Sequence, residues 1–219
     1  MDLSALLPFW DQLTPEQQAR LSGGAQPRDI PRGTVLHRGS SDCLGLLVVR
    51  SGRLRAYVLS EEGREITLYR LLERDICLFS ASCMMGDLQL DVAVEAERDT
   101  KVWVLPPDLY QALSQESPAV ANFTNRLMAG RFSEVMWLME QIIWKSFDRR
   151  LAAFLLEEST MDGTRILHLT HEKIANHLGT AREVVTRMLR YFQSEGMVVL
   201  ARGTVEITDW DRLEALARQ

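Results

Sequence analysis

The stretch LTHEKIANHLGTAREVVTRMLRYFQSEGMV, residues 169–198, contains two short helical patterns separated by a glycine. Thr170 is a suitable N-cap for the first helix. Gly179 stands where that helix must end, because glycine adopts the left-handed conformation at the lowest cost. Thr180 and Glu183 have the spacing of a capping box and predict the start of the second helix. The pattern therefore predicts a helix-turn-helix.

The second helix is predicted to have two chemically different faces. Apolar residues recur on its inward side, namely Val184, Val185, Met188, Leu189 and Phe192. The opposite side carries Arg182, Glu183, Thr186, Arg187 and Arg190. Arginine can bind O6 and N7 of guanine, and glutamate can accept from N4 of cytosine, so this face suits base edges in a major groove. Taken alone, the helix fits a capped, solvated surface helix equally well.

The strand pair that follows this helix pair favours DNA recognition over a solvated surface. After the helices comes VVLARGTVEIT, residues 198–208, which predicts two strands joined by a turn at Arg202-Gly203, the arrangement of a wing. Before the helices, residues 147–159 form an amphipathic pattern followed by a turn at Asp162-Gly163, and Asp209 can cap a last short helix. We therefore expect a winged helix-turn-helix over residues 147–219.

A long helix is predicted immediately before this domain. A short helical pattern ends near Ser117-Pro118, and residues 119–145 then run without proline for more than six turns. One apolar stripe includes Val120, Phe123, Leu127 and Leu138, whereas Met136, Trp137, Met139, Ile143 and Trp144 lie off it. One face can cover its own domain while another pairs with a second chain. We expect residues 118–146 to be a dimerisation helix; the alternative is a core helix.

Residues 1–117 predict a strand-rich domain preceded by a helical segment. Thr14 and Pro15 mark a helix start, and short β-branched strands follow between about residues 29 and 105. The clearest hairpin turns are Ser51-Gly52 and Glu62-Gly63. The expected fold is α+β, with an N-terminal β-roll sensor, the long helix and the C-terminal winged domain.

Composition narrows the function class. The chain has 46% hydrophobic residues, no apolar run near the roughly 20 residues that span a bilayer, and an N-terminus unlike a signal peptide. Its net charge is −5, but residues 165–202 carry six cations against three anions, a local charge of +3 that can follow phosphates. We expect a cytoplasmic, non-membrane protein.

The sequence lacks the motifs of an enzyme. It has no glycine-rich phosphate loop, no nucleophile elbow and no cluster with metal-ligand spacing. His168, His171 and His177 straddle a helix start and lack paired carboxylate or cysteine ligands at zinc-like spacing. We expect neither catalysis nor a metal site.

The chain resembles the catabolite activator protein/FNR (CRP/FNR) family of bacterial regulators over almost its whole length. In the roll, the resemblance lies in VVRSGRLRAYVLSEEGREITLYRL, residues 48–71, whose glycine turns match the family's spacing. In the helix-turn-helix it lies in the motif R-E-x-V/I-x-R, present as Arg182-Glu183-Val184-Val185-Thr186-Arg187. A cyclic-nucleotide-binding-like jelly roll and a winged helix-turn-helix are the fold this resemblance implies.

The resemblance also implies partners and roles. It implies a homodimer on palindromic double-stranded DNA, with RNA polymerase as a further partner. By position, Arg182, Glu183 and Arg187 would contact bases of a TGTGA-like half-site, and Arg182 would contact a G·C pair. Candidate phosphate contacts are Thr170, His171, Thr180, Thr186 and Arg190. The alternative function is a ligand-binding regulatory module of the cyclic-nucleotide type without a direct role on DNA.

The sensor segment departs from the family's best-known ligands. Cyclic-nucleotide members place an arginine against the cyclic phosphate, but this chain has Gln89-Leu90-Asp91 there, and an aspartate repels a phosphate. A cyclic nucleotide such as cAMP is therefore disfavoured as the effector. A [4Fe–4S] cluster is also disfavoured, because the chain has three cysteines and the first is Cys43.

Effector and redox candidates remain in the apolar segment that holds Cys77, Cys83, Met84 and Met85. Both cysteines fit small buried hydrophobic residues, which is the commonest fate of such a thiol. A reactive thiol pair is a second interpretation, although no lysine or histidine lies nearby to lower a thiol pKa. Haem or another small apolar ligand is a third. A carbon-monoxide-sensing branch of the family uses a cysteine in this segment with a histidine two residues later, where this chain has Phe79.

Overall fold

The structure of the chain, a computed structural model, describes residues 2–38, 44–78 and 92–218. The chain divides into two compact units. One combines residues up to Leu59 with Leu68–Val135, and the other combines Ser60–Thr67 with the chain from Met136 onward. Each unit mixes helices with strands, so the predicted α+β class is confirmed.

The N-terminal part begins with helical turns and continues as strands. Two 3-10 turns, Leu3–Ala5 and Trp10–Gln12, precede helix α1, Pro15–Gly24. The strands are β1 Gln26–Ile30, β2 Val35–Arg38, β3 Leu46–Ser51, β4 Leu54–Leu59, β5 Glu65–Leu71, β6 Ile76–Cys77, β7 Val92–Ala96 and β8 Thr100–Leu105. Helices α2, Pro107–Glu116, and α3, Pro118–Trp144, follow. The predicted cap of α1 is present, since Oγ1 of Thr14 accepts from the Gln17 N–H at 3.3 Å.

The strands form two four-stranded sheets, ordered β1-β8-β3-β6 and β2-β7-β4-β5. This confirms the predicted roll. Gly52, in the turn between β3 and β4, has φ +95°, and a Cβ there would lie 2.6 Å from the carbonyl oxygen of Asp99. Only glycine fits that turn.

Strand β3 is apolar at successive positions because both of its faces are buried. Leu46 and Val48 pack in a cluster with side chains of α2 and α3, including Tyr110 and Val120. Leu47 and Val49 point the other way, into the core between the two sheets. Because both faces of the strand are covered, both sets of residues are apolar.

Helix α3 has 27 residues, and its two ends lie in different environments. Near its start, Val120, Phe123 and Leu127 pack against the cluster of the N-terminal unit. Further along, large apolar side chains are exposed, among them Phe132 at 67% and Trp144 at 78%. The described helices include none that is long and apolar enough to cross a membrane.

The C-terminal part consists of α4 Phe147–Asp162, β9 Ile166–Leu167, α5 His171–Leu178, α6 Arg182–Ser194, β10 Val198–Ala201, β11 Thr204–Ile207 and α7 Trp210–Arg218. Its strands are ordered β10-β11-β9. Leu151, Ile174, Val185 and Phe192 share one core, which fixes α4, α5 and α6 against the sheet. The predicted cap at Asp209 is present, because its Oδ1 accepts from the Arg212 N–H at 3.0 Å.

Candidate nucleic-acid interface

Helix α5 begins and ends as its sequence predicts. Oγ1 of Thr170 accepts a hydrogen bond from the Lys173 N–H at 3.2 Å, which caps the first turn. Gly179 closes the helix with φ +66°. A Cβ at Gly179 would approach Cδ1 of Ile66 to 2.9 Å, so the position favours glycine for space as well as conformation.

The predicted capping box of α6 is wrong. The N-cap is Ala181, and no side chain caps the helix. The N–H of Thr180 donates to the carbonyl of Ala175 at 3.1 Å, so Thr180 belongs to the turn that ends α5. Because its backbone is used there, α6 starts one residue later and Glu183 has no capping partner at Thr180.

Helix α6 presents the two predicted faces. Val185, Leu189 and Phe192 are buried in the domain core. On the outer side, Arg182, Glu183 and Arg187 are exposed. Within the described parts of the chain, no hydrogen bond or ion pair holds these three side chains. Their polar heads are therefore available to a ligand, and this arrangement fits a recognition helix.

The candidate phosphate contacts fall into two groups. Thr170 and Arg190 are exposed, whereas Thr180, His171 and Thr186 are half-buried. Nδ1 of His171 lies 2.8 Å from Oγ1 of Thr186. The structure thus links two of the five candidates directly, and the sequence did not predict that link.

One contact of the helix-turn-helix has no signal in the sequence. Oγ1 of Thr67, in strand β5, lies 2.8 Å from Nδ1 of His177, 110 residues away. Ile66 forms a β-bridge with Leu178, whose carbonyl also accepts from Nη1 of Arg150 at 3.2 Å. These contacts position the turn between α5 and α6.

The wing is present as predicted. Strands β10 and β11 pair antiparallel, and Gly203 in the turn between them has φ +75°. Arg202 is exposed at the tip. A cation at the tip of a wing is a further candidate for a phosphate contact, and no motif in the sequence singles it out.

The effector candidates lie partly beyond what the structure describes. Cys77 is completely buried in the core of the roll, which fits the interpretation of a small hydrophobic residue. Burial and the neighbouring Cys77 raise the pKa of Tyr69, whose ring lies 4.4 Å from the guanidinium of Arg131. Cys83, Met84 and Met85 fall outside the described residues. In the described ranges, no three His, Cys, Asp or Glu side chains are grouped to hold a metal ion.

Two family sequence models match this chain. The sequence model of the cyclic nucleotide-binding domain matches residues 27–117, and that of the Crp-like helix-turn-helix domain matches residues 149–216. A solved structure from Eubacterium rectale, assigned to the CRP/FNR family of transcriptional regulators, is 54% identical. That match covers 98% of this chain and 100% of the other, with a TM-score of 0.96.

Two further relatives match most of this chain. The cyclic AMP receptor protein of Thermus thermophilus is 28% identical over 210 residues, 96% of each chain. The fumarate and nitrate reduction regulatory protein of Escherichia coli is 26% identical over 197 residues, 87% of this chain and 78% of the relative. This chain therefore belongs to the CRP/FNR family of DNA-binding transcription regulators, with a cyclic nucleotide-binding domain before its helix-turn-helix.

Proposed function

We propose that this chain acts as a homodimer on a palindromic, TGTGA-like DNA site. The observation that carries the proposal is the outer face of α6, where Arg182, Glu183 and Arg187 are exposed above a buried apolar back. The arginines would each bind a guanine, and Glu183 would accept from a cytosine N4. Thr170, His171, Thr180, Thr186 and Arg190 would contact phosphates and orient the domain.

Selection from a pool of random duplexes tests this proposal. Full-length protein should enrich two inverted TGTGA-like half-sites whose centres are about one helical turn, roughly 10 base pairs, apart. The G·C pair that Arg182 contacts should be among the most strongly enriched positions. Enrichment of single half-sites would contradict the dimer. Recovery of unselected sequence would contradict sequence-specific binding.

The exposed face of α3 supports the dimer. Met128, Phe132, Met139 and Ile142 are exposed, and their spacings of four, seven and three residues are those of a heptad seam. A second copy of the helix would cover this seam, because a contiguous apolar surface in water favours association. The face that carries Val120 and Leu127 is already occupied by the N-terminal unit.

A charged residue in the seam tests the dimer directly. Phe132→Glu should shift the protein to monomer in sedimentation velocity and weaken binding to the palindrome at least tenfold, because two half-sites would no longer be bound as one unit. Ser133→Glu is the matched control, since Ser133 is exposed one position away and off the seam. A dimeric Phe132→Glu variant would contradict the proposed seam.

The proposed effector is not a cyclic nucleotide, although the domain that would bind it carries that family name. Gln89-Leu90-Asp91 stands where the phosphate arginine of cyclic-nucleotide members would be. Thiol oxidation, haem and a small apolar ligand are the candidates. Titration calorimetry with cyclic AMP should give no binding heat, and absorbance spectra with and without haemin separate haem from the others.

The output would be transcription control in the cytoplasm, with RNA polymerase as the partner of the DNA-bound form. The relatives are transcription regulators and not enzymes, which supports a role without catalysis.

A further inference from the structure

A short chain of hydrogen bonds joins the two helices of the helix-turn-helix. Nδ1 of His171 lies 2.8 Å from Oγ1 of Thr186, and that hydroxyl donates to the carbonyl oxygen of Arg182 at 2.9 Å. A hydroxyl has one proton, so an Oγ1 that donates to the carbonyl must accept from Nδ1–H. Nδ1 therefore carries a proton, and Nε2 is the ring atom that gains or loses one.

The surroundings of His171 disfavour its charged form in the unbound protein. It is the first residue of α5, where the helix dipole is positive. Glu172 and Lys173 follow it on α5 with opposite charges. Burial lowers the pKa of His171, and the guanidinium charges of Arg182 and Arg190 on α6 lower it further. The imidazole is therefore neutral in unbound protein near neutral pH.

We propose that His171 takes up a proton at Nε2 when α6 binds DNA, so that this chain binds its site more tightly as the pH falls. The inference rests on the proposed function, because it requires a duplex against α6. DNA phosphates would bring negative charge to Arg190 and the ring, and a nearby negative charge favours the imidazolium. The Nδ1–H bond to Thr186 is the same in both charge states, so proton uptake leaves α6 in place.

The direction of the pH effect follows from proton counting. Between the lowered pKa of His171 in the unbound protein and its higher pKa in the complex, the complex holds more protons than its separate components. In that range the association constant rises by up to about tenfold for each unit by which the pH falls, for each His171 that contacts DNA. Above the higher pKa and below the lower one, this contribution is constant.

The experiment measures the dissociation constant of full-length protein for its selected duplex between pH 5.5 and 8.0 at constant ionic strength. Wild type should bind at least tenfold more tightly at the acid end. His171→Asn keeps an amide donor toward Thr186 but does not titrate, so its affinity should follow pH much less. His171→Lys, a permanent cation, should be tight throughout. His168→Asn is the matched control, because His168 is exposed three residues earlier and should leave the wild-type slope unchanged.

Calorimetry in two buffers of different ionisation enthalpy counts the protons directly. Wild type and His168→Asn should take up protons on binding near pH 6.5, and His171→Asn should take up fewer. Equal pH slopes and equal proton counts in wild type and His171→Asn would overturn this inference while leaving sequence-specific binding intact. If wild type bound no duplex at any pH, both the proposed DNA-binding function and the proton uptake by His171 would be overturned. Circular dichroism of each variant checks that it is folded.

Discussion

Arginines in the roll and on α6 have opposite surroundings. In the roll, Nε of Arg53 and Nε of Arg70 lie 3.0 and 2.9 Å from the same oxygen of Glu97, and all three side chains are at most 13% exposed. On α6, Arg182 and Arg187 are exposed, and no ion pair holds them within the described residues. The first group is held in place by ion pairs within the fold, whereas the second is exposed to solvent.

The difference shows that residue type alone does not tell a paired, buried arginine from an exposed one that could bind a ligand. A buried guanidinium requires a partner, because an uncompensated buried charge costs several kcal/mol. An exposed guanidinium has no such requirement and remains free to bind a phosphate or a guanine. Both groups are arginine-rich in sequence, so counting cations would have weighted them equally.

The largest expected effect comes from breaking the buried pairs. Glu97→Gln removes a negative charge that both Arg53 and Arg70 contact in a buried cluster. The free energy of unfolding should fall by about 3–5 kcal/mol, measured by urea titration with circular dichroism. The folded protein should keep its DNA site preference.

Glu62→Gln is the matched control, because Glu62 pairs with Arg64 at 3.0 Å on the surface, with side chains 73% and 61% exposed. Its effect should stay within about 0.5 kcal/mol. Equal losses in both variants would mean that burial of the Glu97 cluster contributes nothing, and the comparison would fail.

The next largest effect is expected on α6, and it should appear in binding rather than in stability. Arg187→Ala should weaken binding to the selected site by about 1–3 kcal/mol and relax preference at one base pair of each half-site. The free energy of unfolding should change by less than about 0.5 kcal/mol, since the side chain is exposed. Selection and urea titration on the same variant separate the two effects.

Arg190→Ala distinguishes a base contact from a phosphate contact. It should weaken all duplexes evenly and lower the salt slope by about one. If Arg187→Ala left the site preference unchanged, Arg187, like Arg190, would be assigned as a phosphate contact and not as a base contact.

The smallest expected effect concerns the missing cap of α6. Ala181 has the extended backbone of an N-cap, with φ −81° and ψ 145°, but no side chain to accept a hydrogen bond. Ala181→Ser should stabilise the protein by about 0.5–1 kcal/mol, measured by thermal unfolding. Ala129→Ser, on the exposed side of α3, should be neutral or slightly destabilising. A loss of stability in Ala181→Ser would mean that the side chain has no room to cap.

Features that depend on a few consecutive residues could be predicted from the sequence. Thr14 and Thr170 cap their helices as predicted, because a cap bonds a backbone N–H three residues away. Gly179 ends α5 as predicted, because its conformation is a property of one residue. The two-faced pattern of α6 was also predicted correctly, since helical spacing alone produces it.

Features that depend on competition or on distant residues could not be predicted. Thr180 fits both the end of α5 and the start of α6, and only the folded backbone shows that it ends α5. The bond from His171 to Thr186 and the bond from Thr67 to His177 join residues that no local pattern relates. The base-contact assignment of Arg182, Glu183 and Arg187 remains a prediction.

The second unit is built from two separate segments of the chain, and this has a practical consequence for the design of fragments. Residues Ser60–Thr67 belong to that unit although 68 residues separate them from its main segment, which starts at Met136. A fragment cut at Met136 would lose Ile66 from beside Gly179 and the hydroxyl that bonds His177. Expressed alone, such a fragment would therefore show altered DNA binding, because it would lack the contacts of Ile66 and Thr67 that position the turn between α5 and α6.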